Sequence, residues 1–315
     1  MGSTVKLMTG VVRDQVRGLA TMVFYVMETM IFAVPFYLVA FVKLIIPVPS
    51  WRLFWSKVLR RVVDVWMYFL NLPQCLNRKT RWVIRGWEDM SRVNLCKSCM
   101  LMVNHQTWVD IMVLVKLFYR RVPDFKFFAK RELLWFPLVG LAMVAADYPM
   151  VKRYKKAFLE KHPHLAGKDL ELTRKACEKF KNMPVSVFSF VEGTRFREGK
   201  HRKQHSPFTH LLKPKAGGVS LVLGAMGDKI QNILNVTIVY PEGVKNFWEY
   251  LCGKVEEIRV HVEVLPVSRD LIGDYFNDAQ YRQRFQLWIN DLWLEKDRLI
   301  DEMLQWEQTR SLEVS

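Results

Sequence analysis

The residues best suited to chemistry are His105 and Asp110, inside the polar cluster Asn104-His105-Gln106-Thr107-Trp108-Val109-Asp110. An imidazole takes and returns a proton near neutral pH, and a carboxylate on its other ring nitrogen fixes the tautomer and steadies the cation that forms. The pair is five positions apart, so at roughly 100° per residue an unbroken helix would turn the two side chains away from each other. The spacing suits a turn instead, with His105 on a loop and Asp110 folding back from the first helical turn. That is the base-and-orienter part of a catalytic triad, with no protein nucleophile in the same stretch. A plainer alternative stays open, because Thr107-x-x-Asp110 also fits a capping pattern in which Asp110 only satisfies backbone donors.

Certain elements must position this cluster. Cys99 to Val103 reads as a short buried strand and Ile111 to Phe118 as an apolar helix, so the cluster lies on a strand-to-helix turn. Such turns hold polar groups at the open end of a sheet, where ligands bind. A second stretch has the same form. Val185 to Val191 is β-rich and apolar, and it runs into Glu192-Gly193-Thr194-Arg195. There Gly193 allows close backbone approach, Arg195 can fork onto a phosphate, and Glu192 can orient that arginine or accept from a hydroxyl. A local ion pair at a turn is the alternative for this stretch.

The pattern N-H-x-x-x-x-D followed by Phe190-Val191-Glu192-Gly193-Thr194-Arg195, an F-x-E-G-T-R match, resembles the glycerolipid acyltransferases and particularly the 1-acylglycerol-3-phosphate O-acyltransferases. The resemblance is specific from His105 to Gly218 and weaker outside. It implies acyl transfer from acyl-CoA or acyl-carrier protein to the free hydroxyl of lysophosphatidic acid or a related lysophospholipid. His105 would be the base and Asp110 its orienter, with Glu192, Gly193, Thr194 and Arg195 holding the acceptor. Lys126, Lys130, Pro137 and Gly140 resemble the family's second motif region, which implies an acceptor-phosphate contact at Arg153 with Lys130 as companion. In Lys213-Pro214-Lys215-Ala216-Gly217-Gly218 the resemblance favours Lys215 over Lys213 as a further phosphate contact. Where the family has a proline on the next strand, this chain has Thr237. No metal or cofactor is implied beyond the thioester co-substrate.

Composition narrows the partners. The 315 residues carry 47 Lys and Arg against 31 Asp and Glu, a net +16 that suits an anionic partner, phospholipid or nucleic acid. Leu19 to Val42 contains only one charge, Glu28, and its 24 residues would cover roughly 36 Å as a helix, enough for a hydrocarbon core. A membrane is therefore the expected partner, and no recognised nucleic-acid module accompanies the charge. Basic residues on both flanks leave orientation open, and Pro35 makes a re-entrant pair of helices as acceptable as one span. Trp51 to Leu72 mixes tryptophans with basic residues as an interfacial helix does. Five cysteines give no disulfide framework, and Cys96-Lys97-Ser98-Cys99 lacks the second pair that a zinc site needs.

The expected fold is α/β, a mixed and mostly parallel sheet flanked by helices, with an N-terminal hydrophobic helical membrane anchor. Residues 1–72 would be the anchor, 73–270 the acyltransferase domain, and 271–315 a C-terminal amphipathic helix whose face packs or meets lipid. The dense basic run Arg197 to His205 reads as a solvated loop or as a phosphate- or membrane-facing one. The resemblance to bacterial members implies the inner membrane, with the catalytic domain on the cytoplasmic side. Two rivals remain: a membrane-bound thioesterase or lipid hydrolase, and a basic protein that tethers nucleic acid to the membrane.

Overall fold

The computed structural model describes residues 2–306 apart from 78, 128, 149, 152–170, 172, 173, 176, 178, 179, 181 and 182. Its centre is strand β2 (Ser98–Val103), every residue of which is buried. Successive side chains of a strand face opposite ways. Accordingly Met100 and Met102 enter one apolar cluster while Cys99, Leu101 and Val103 enter another. A strand covered on both faces needs apolar residues, and Cys-Met-Leu-Met-Val supplies them after Ser98, whose hydroxyl accepts from the Val185 amide.

Five strands join it: β1 (Arg81–Arg85), β3 (Asp124–Lys126), β6 (Val185–Phe190), β7 (Ile230–Val239) and β8 (Glu257–Pro266). The order across the sheet is β1-β8-β7-β2-β6-β3. Neighbours run parallel except β7 and β8, which are antiparallel. The short strands β4 (Ala129–Lys130) and β5 (Met150–Val151) pair separately. This is the mixed, mostly parallel α/β sheet that the sequence implies.

Helices cover both faces. Helix α3 (Val109–Phe118) follows β2 and buries Val109, Met112, Val113, Leu114, Leu117 and Phe118 in one cluster. On the other face lie α6 (Ala216–Met226) and, after the short α7 (Phe247–Leu251) in the chain, the long α8 (Ala279–Gln305). Asp278 caps α8 by accepting from the Tyr281 amide at 2.9 Å. From there Tyr281, Phe285, Ile289, Leu292, Ile300 and Met303 recur on one buried face. The amphipathic C-terminal helix therefore packs into the core. Its last turns also meet β8, where the Arg259 guanidinium donates to the Met303 carbonyl, and the first half of that strand is buried at positions where alternation alone predicts half-exposure.

Helix α1 (Gly2–Ile45) and helix α2 (Pro49–Leu76) form an antiparallel hairpin: Trp51 donates to the Val42 carbonyl at 2.8 Å, and Phe32 meets Phe69. The helix runs through Pro35, although an interior proline costs about 3 kcal/mol. Neighbouring contacts offset that cost, because Phe36 and Ala40 pack with Leu59, and Tyr37 donates to Leu138 of α4 (Pro137–Ala145). Residues 10–45 are long and apolar enough to cross a membrane, by length and composition. The outward side of the hairpin bears Val16, Leu19, Met30, Leu38 and Phe54, all exposed, and Trp135 beside α4 is 87% exposed.

Candidate active site

Strands β2 and β6 are parallel, with Val103 opposite Phe190, so their C-terminal ends deliver the two motif loops to the same edge. His105 and Asp110 meet there. His105 Nδ1 lies 2.8 Å from Asp110 Oδ2. The same oxygen accepts from the backbone amides of Gln106 at 2.7 Å and Thr107 at 3.0 Å. Orienter and cap are thus a single arrangement: three donors converge on Oδ2 and fix the carboxylate, which has no exposed surface. The other oxygen, Oδ1, accepts from the Tyr240 hydroxyl at 2.7 Å.

The imidazole is held flat as well as pinned. Its ring stacks on Phe190 with centroids 3.6 Å apart and planes 12° apart, and Trp108 meets it edge-on. A tenth of the His105 side chain stays open to solvent. Asn104 anchors the loop from below: its amide donates to the Ile238 carbonyl and accepts from the Ile238 amide, both at 2.9 Å.

The second loop locks onto the first. Phe196 donates its amide to the His105 carbonyl at 2.7 Å. The Arg195 guanidinium lies over the Trp108 ring, 4.8 Å from its centroid, which brings this cation to the side of the imidazole. Gly193 has φ +69°, and a Cβ there would come within 3.0 Å of Lys215 Cδ and Nζ. The left-handed backbone is what favours glycine here, and a side chain would in addition push aside the lysine lying across it. Lys215 also donates its amide to the Val191 carbonyl at 2.9 Å and begins α6 with an exposed side chain. Thr194 accepts from Lys200 through its hydroxyl.

Glu192 does something other than the sequence suggests. Its side chain is fully buried, Oε1 accepting from the His105 amide at 3.2 Å and Oε2 from the Leu212 amide at 3.1 Å. Both oxygens are spent on backbone, so the carboxyl ties the two motif loops together and neither orients Arg195 nor reaches an acceptor hydroxyl. Burial pushes its pKa up to about 8, against the pull of those two amides and of Lys296. Lys296 of α8 is itself enclosed. It donates to the Val236 carbonyl at 2.7 Å and the Thr237 hydroxyl at 3.0 Å, and burial lowers it to about 7. The hydroxyl at position 237, where a proline is expected, is therefore a partner for a buried ammonium.

His105, Asp110, Glu192, Gly193, Thr194, Arg195 and Lys215 thus form one cluster. Lys130 lies in the separate β4–β5 pair, its backbone opposite Val151, and Arg153 lies outside the described residues. The basic run is a helix rather than a loop: α5 (Glu198–Gln204) carries it, ended by His205 with φ 47°. Tyr240 carries no role in the sequence pattern and Phe190 appears there only as the head of its motif, yet these two are the most intimate with the pair. The signal for Tyr240 was its place just past β7, which lies beside β2 and runs parallel to it.

A catalytic-type base, its orienter and a cationic rim on one parallel-sheet edge suit acyl transfer to an alcohol. Residues 86–245, just over half of the chain, match the family model described as acyltransferase. The chain belongs to the acyltransferase family. Both motif loops, and with them every member of the cluster, fall inside the matched region.

This acyltransferase is similar along 212 residues to lysocardiolipin acyltransferase 1 of Danio rerio, at 23% identity over 63% of this chain and 50% of that protein. It is 27% identical over 186 residues to 1-acyl-sn-glycerol-3-phosphate acyltransferase gamma of Mus musculus, 55% of this chain and 44% of the relative. An uncharacterized acyltransferase of Schizosaccharomyces pombe is 28% identical over 99 residues, 31% of each chain. The chain spans half the length or less of these three relatives. Among solved structures, the 1-acyl-sn-glycerophosphate acyltransferase of Thermotoga maritima aligns with a TM-score of 0.48 at 16% identity, over 94% of this chain and 99% of that one.

Proposed function

We propose that the protein moves a fatty acyl group from a thioester donor to the free hydroxyl of lysophosphatidic acid or a related lysophospholipid, at a membrane surface. The observation that carries this is the His105–Asp110 contact at 2.8 Å, opening beside Arg195 on Trp108. His105 Nε2 takes the proton as the acceptor oxygen attacks the thioester carbonyl carbon. A C–O bond forms, the tetrahedral centre collapses, and the C–S bond breaks. The leaving thiolate receives the proton back from the imidazolium, so no acyl-enzyme is formed.

Asp110 acts by holding Nδ1–H and stabilising the transient imidazolium, a base contribution worth typically about 10² to 10⁴ in rate. Arg195 and Lys215 grip the acceptor's phosphate, and the Gly193–Thr194 backbone gives it room; Arg153 and Lys130 are proposed as further cations for the same group. Acyl-CoA or acyl-carrier protein is the donor, and no metal takes part, so activity withstands a chelator.

Residues 1–72 anchor the chain, 73–270 carry the chemistry, and the catalytic face lies on the cytoplasmic side. The exposed apolar side of α1 supports the membrane reading. The sequence relatives named above are fungal and vertebrate, so the proposal does not extend to a bacterial inner membrane.

The test is to incubate purified full-length protein with labelled acyl thioester and a panel of lysophospholipids. Transfer to an acceptor that carries a glycerol phosphate is expected. Thiol release at the same rate without any acceptor would replace the reading with a hydrolase.

A further inference from the structure

The turn that carries His105 and Asp110 is tied to the end of β7 and the chain beyond it at three points. Asn104 pairs with the backbone of Ile238, Asp110 accepts from Tyr240, and Thr107 donates its hydroxyl to the Lys245 carbonyl at 2.8 Å. The first two partners are buried, Ile238 on β7 itself and Tyr240 just past its end. Lys245 is placed differently. Between it and Tyr240 the chain makes an exposed excursion through Glu242, Gly243 and Val244, where Gly243 has φ +85° and a Cβ on it would meet no described atom within 4 Å. Exposed chain with so few contacts supports a carbonyl poorly, so the place of Lys245 is set from its other side, by α7.

Helix α7 cannot hold itself. Its five residues are far below the roughly 12–15 at which an isolated helix is even marginal in water. A reciprocal cap closes its start: Asn246 accepts from the Glu249 amide and Glu249 accepts from the Asn246 amide, both at 2.9 Å. The rest of its support is α1. Trp248 donates to Gln15 at 3.0 Å, and Tyr25 and Tyr250 are buried in one apolar cluster. Between these contacts Gly18 passes so close to Cys252 that a Cβ on the glycine would come to 2.5 Å from Sγ, and Cys252 is fully enclosed, so it has little room to yield. Both α1 and α7 lie outside the residues that match the family model.

We propose that α7 seated on α1 holds the catalytic turn in place, and that Thr107 is the positioning residue through which it does so. Thr107 is buried and acts through Asp110. Its amide is one of the three donors on Asp110 Oδ2, at 3.0 Å, so a turn released from Lys245 loosens the carboxylate and with it the contact to His105 Nδ1. The amino-terminal helix is thereby part of the support of the site as well as an anchor. The effect on rate rests on the acyl-transfer reading; the effect on the turn does not.

The test joins initial rates to hydrogen exchange in the full-length protein in detergent, because exchange needs no turnover. The Gln106 and Thr107 amides both donate to Asp110 Oδ2, so peptides covering residues 104–110 report whether the turn is held. Gly18→Ala should push α7 away, speeding exchange in those peptides and lowering kcat about tenfold or more while KM for the lysophospholipid holds, since a misplacement of about 1 Å costs about 10² in rate. Cys252→Ala removes the sulfur that the new methyl would meet, so the double variant should return both readings toward wild type. Thr107→Val should reproduce the loss, Thr107→Ser should not, and Gly18→Ala added to Thr107→Val should cause no further loss. Should Gly18→Ala not fold, Trp248→Phe, which removes only the bond to Gln15, carries the same two readings in its place. Unchanged exchange at residues 104–110 in the folded variant, or a loss that Cys252→Ala does not restore, overturns the proposal, as does Thr107→Val with wild-type exchange and rate. The two readings fail separately. Exchange that follows this pattern in a chain that transfers no acyl group would remove the proposed function alone. Acyl transfer by wild type, with exchange in the turn indifferent to Gly18, would remove the α7 proposal alone.

Discussion

Asp110→Asn is the most informative single perturbation, because the surrounding hydrogen bonds dictate how the amide must sit. The Oδ2 position faces three donors, His105 Nδ1 and the amides of Gln106 and Thr107. Only an oxygen is compatible with all three. The Asn carbonyl therefore takes that position and its NH₂ turns to Tyr240, whose hydroxyl can accept instead of donate. The histidine tautomer is kept, and so is the fold. What is lost is charge. At about 4 Å and an effective dielectric near 20, a carboxylate stabilises a unit positive charge by about 4 kcal/mol, and part of that survives as a neutral hydrogen bond of about 1 kcal/mol. The expected loss is about 10² in kcat, since each 1.4 kcal/mol is tenfold. KM for the lysophospholipid should change little, because the acceptor's contacts are elsewhere. Initial rates of thiol release with acceptor present, alongside a thermal melt, measure both. Wild-type kcat in the Asn variant would refute the electrostatic role; unfolding of that variant would refute the hydrogen-bond accounting that lets the amide fit.

Other consequences follow from the same contacts. Tyr240→Phe removes the donor to Asp110 Oδ1 and leaves that buried oxygen bare, so melting should show about 1–3 kcal/mol of lost stability and kcat should fall while KM for the acceptor holds. An unchanged melt and rate would show that the hydroxyl does not support Asp110. Gly193→Ala forces a left-handed residue that costs about 1–2 kcal/mol and displaces Lys215, so KM for the acceptor should rise more than kcat falls. For Glu192, the folded carboxyl holds its proton up to about pH 8 while the unfolded one releases it near 4.5. Between those values the unfolded state binds fewer protons, so this residue lowers stability as pH rises. Buried Lys296 works in the opposite sense above about pH 7, where the folded amine is neutral and the unfolded one still charged. Denaturant titrations should thus show stability declining from about pH 5 to 7, and Glu192→Gln should flatten that decline; an identical slope in the variant would show that Glu192 is not its source.

Much of the site could be read in the sequence because it is local. The turn between β2 and α3 is framed by apolar runs, and the pair it presents lies five positions apart. What escaped is long-range or has no period. Tyr240 is 130 positions from the carboxylate it holds, and only the parallel placement of β7 against β2 joins them. Helix α5 is polar on every side and seven residues long, too short and too uniform for a periodic signal. Glu192 looked like a ligand group because its neighbours are polar, yet its side chain points beneath the loop to two amides 87 positions upstream and 20 downstream. The sequence left open whether Pro35 divides the apolar run, because the bracing of one continuous helix by α2 and α4 is a tertiary effect.

The central claim is that one imidazole, held by Asp110, draws the proton from a lysophospholipid's hydroxyl. It is tested most directly by labelled acyl transfer from acyl-CoA to lysophosphatidic acid, comparing wild-type protein with His105→Ala at matched folded concentration in the same vesicles. The account predicts a product band for wild type and a rate lower by about 10² to 10⁴ for the variant, which stays folded and membrane-bound. Transfer by His105→Ala at the wild-type rate would contradict it.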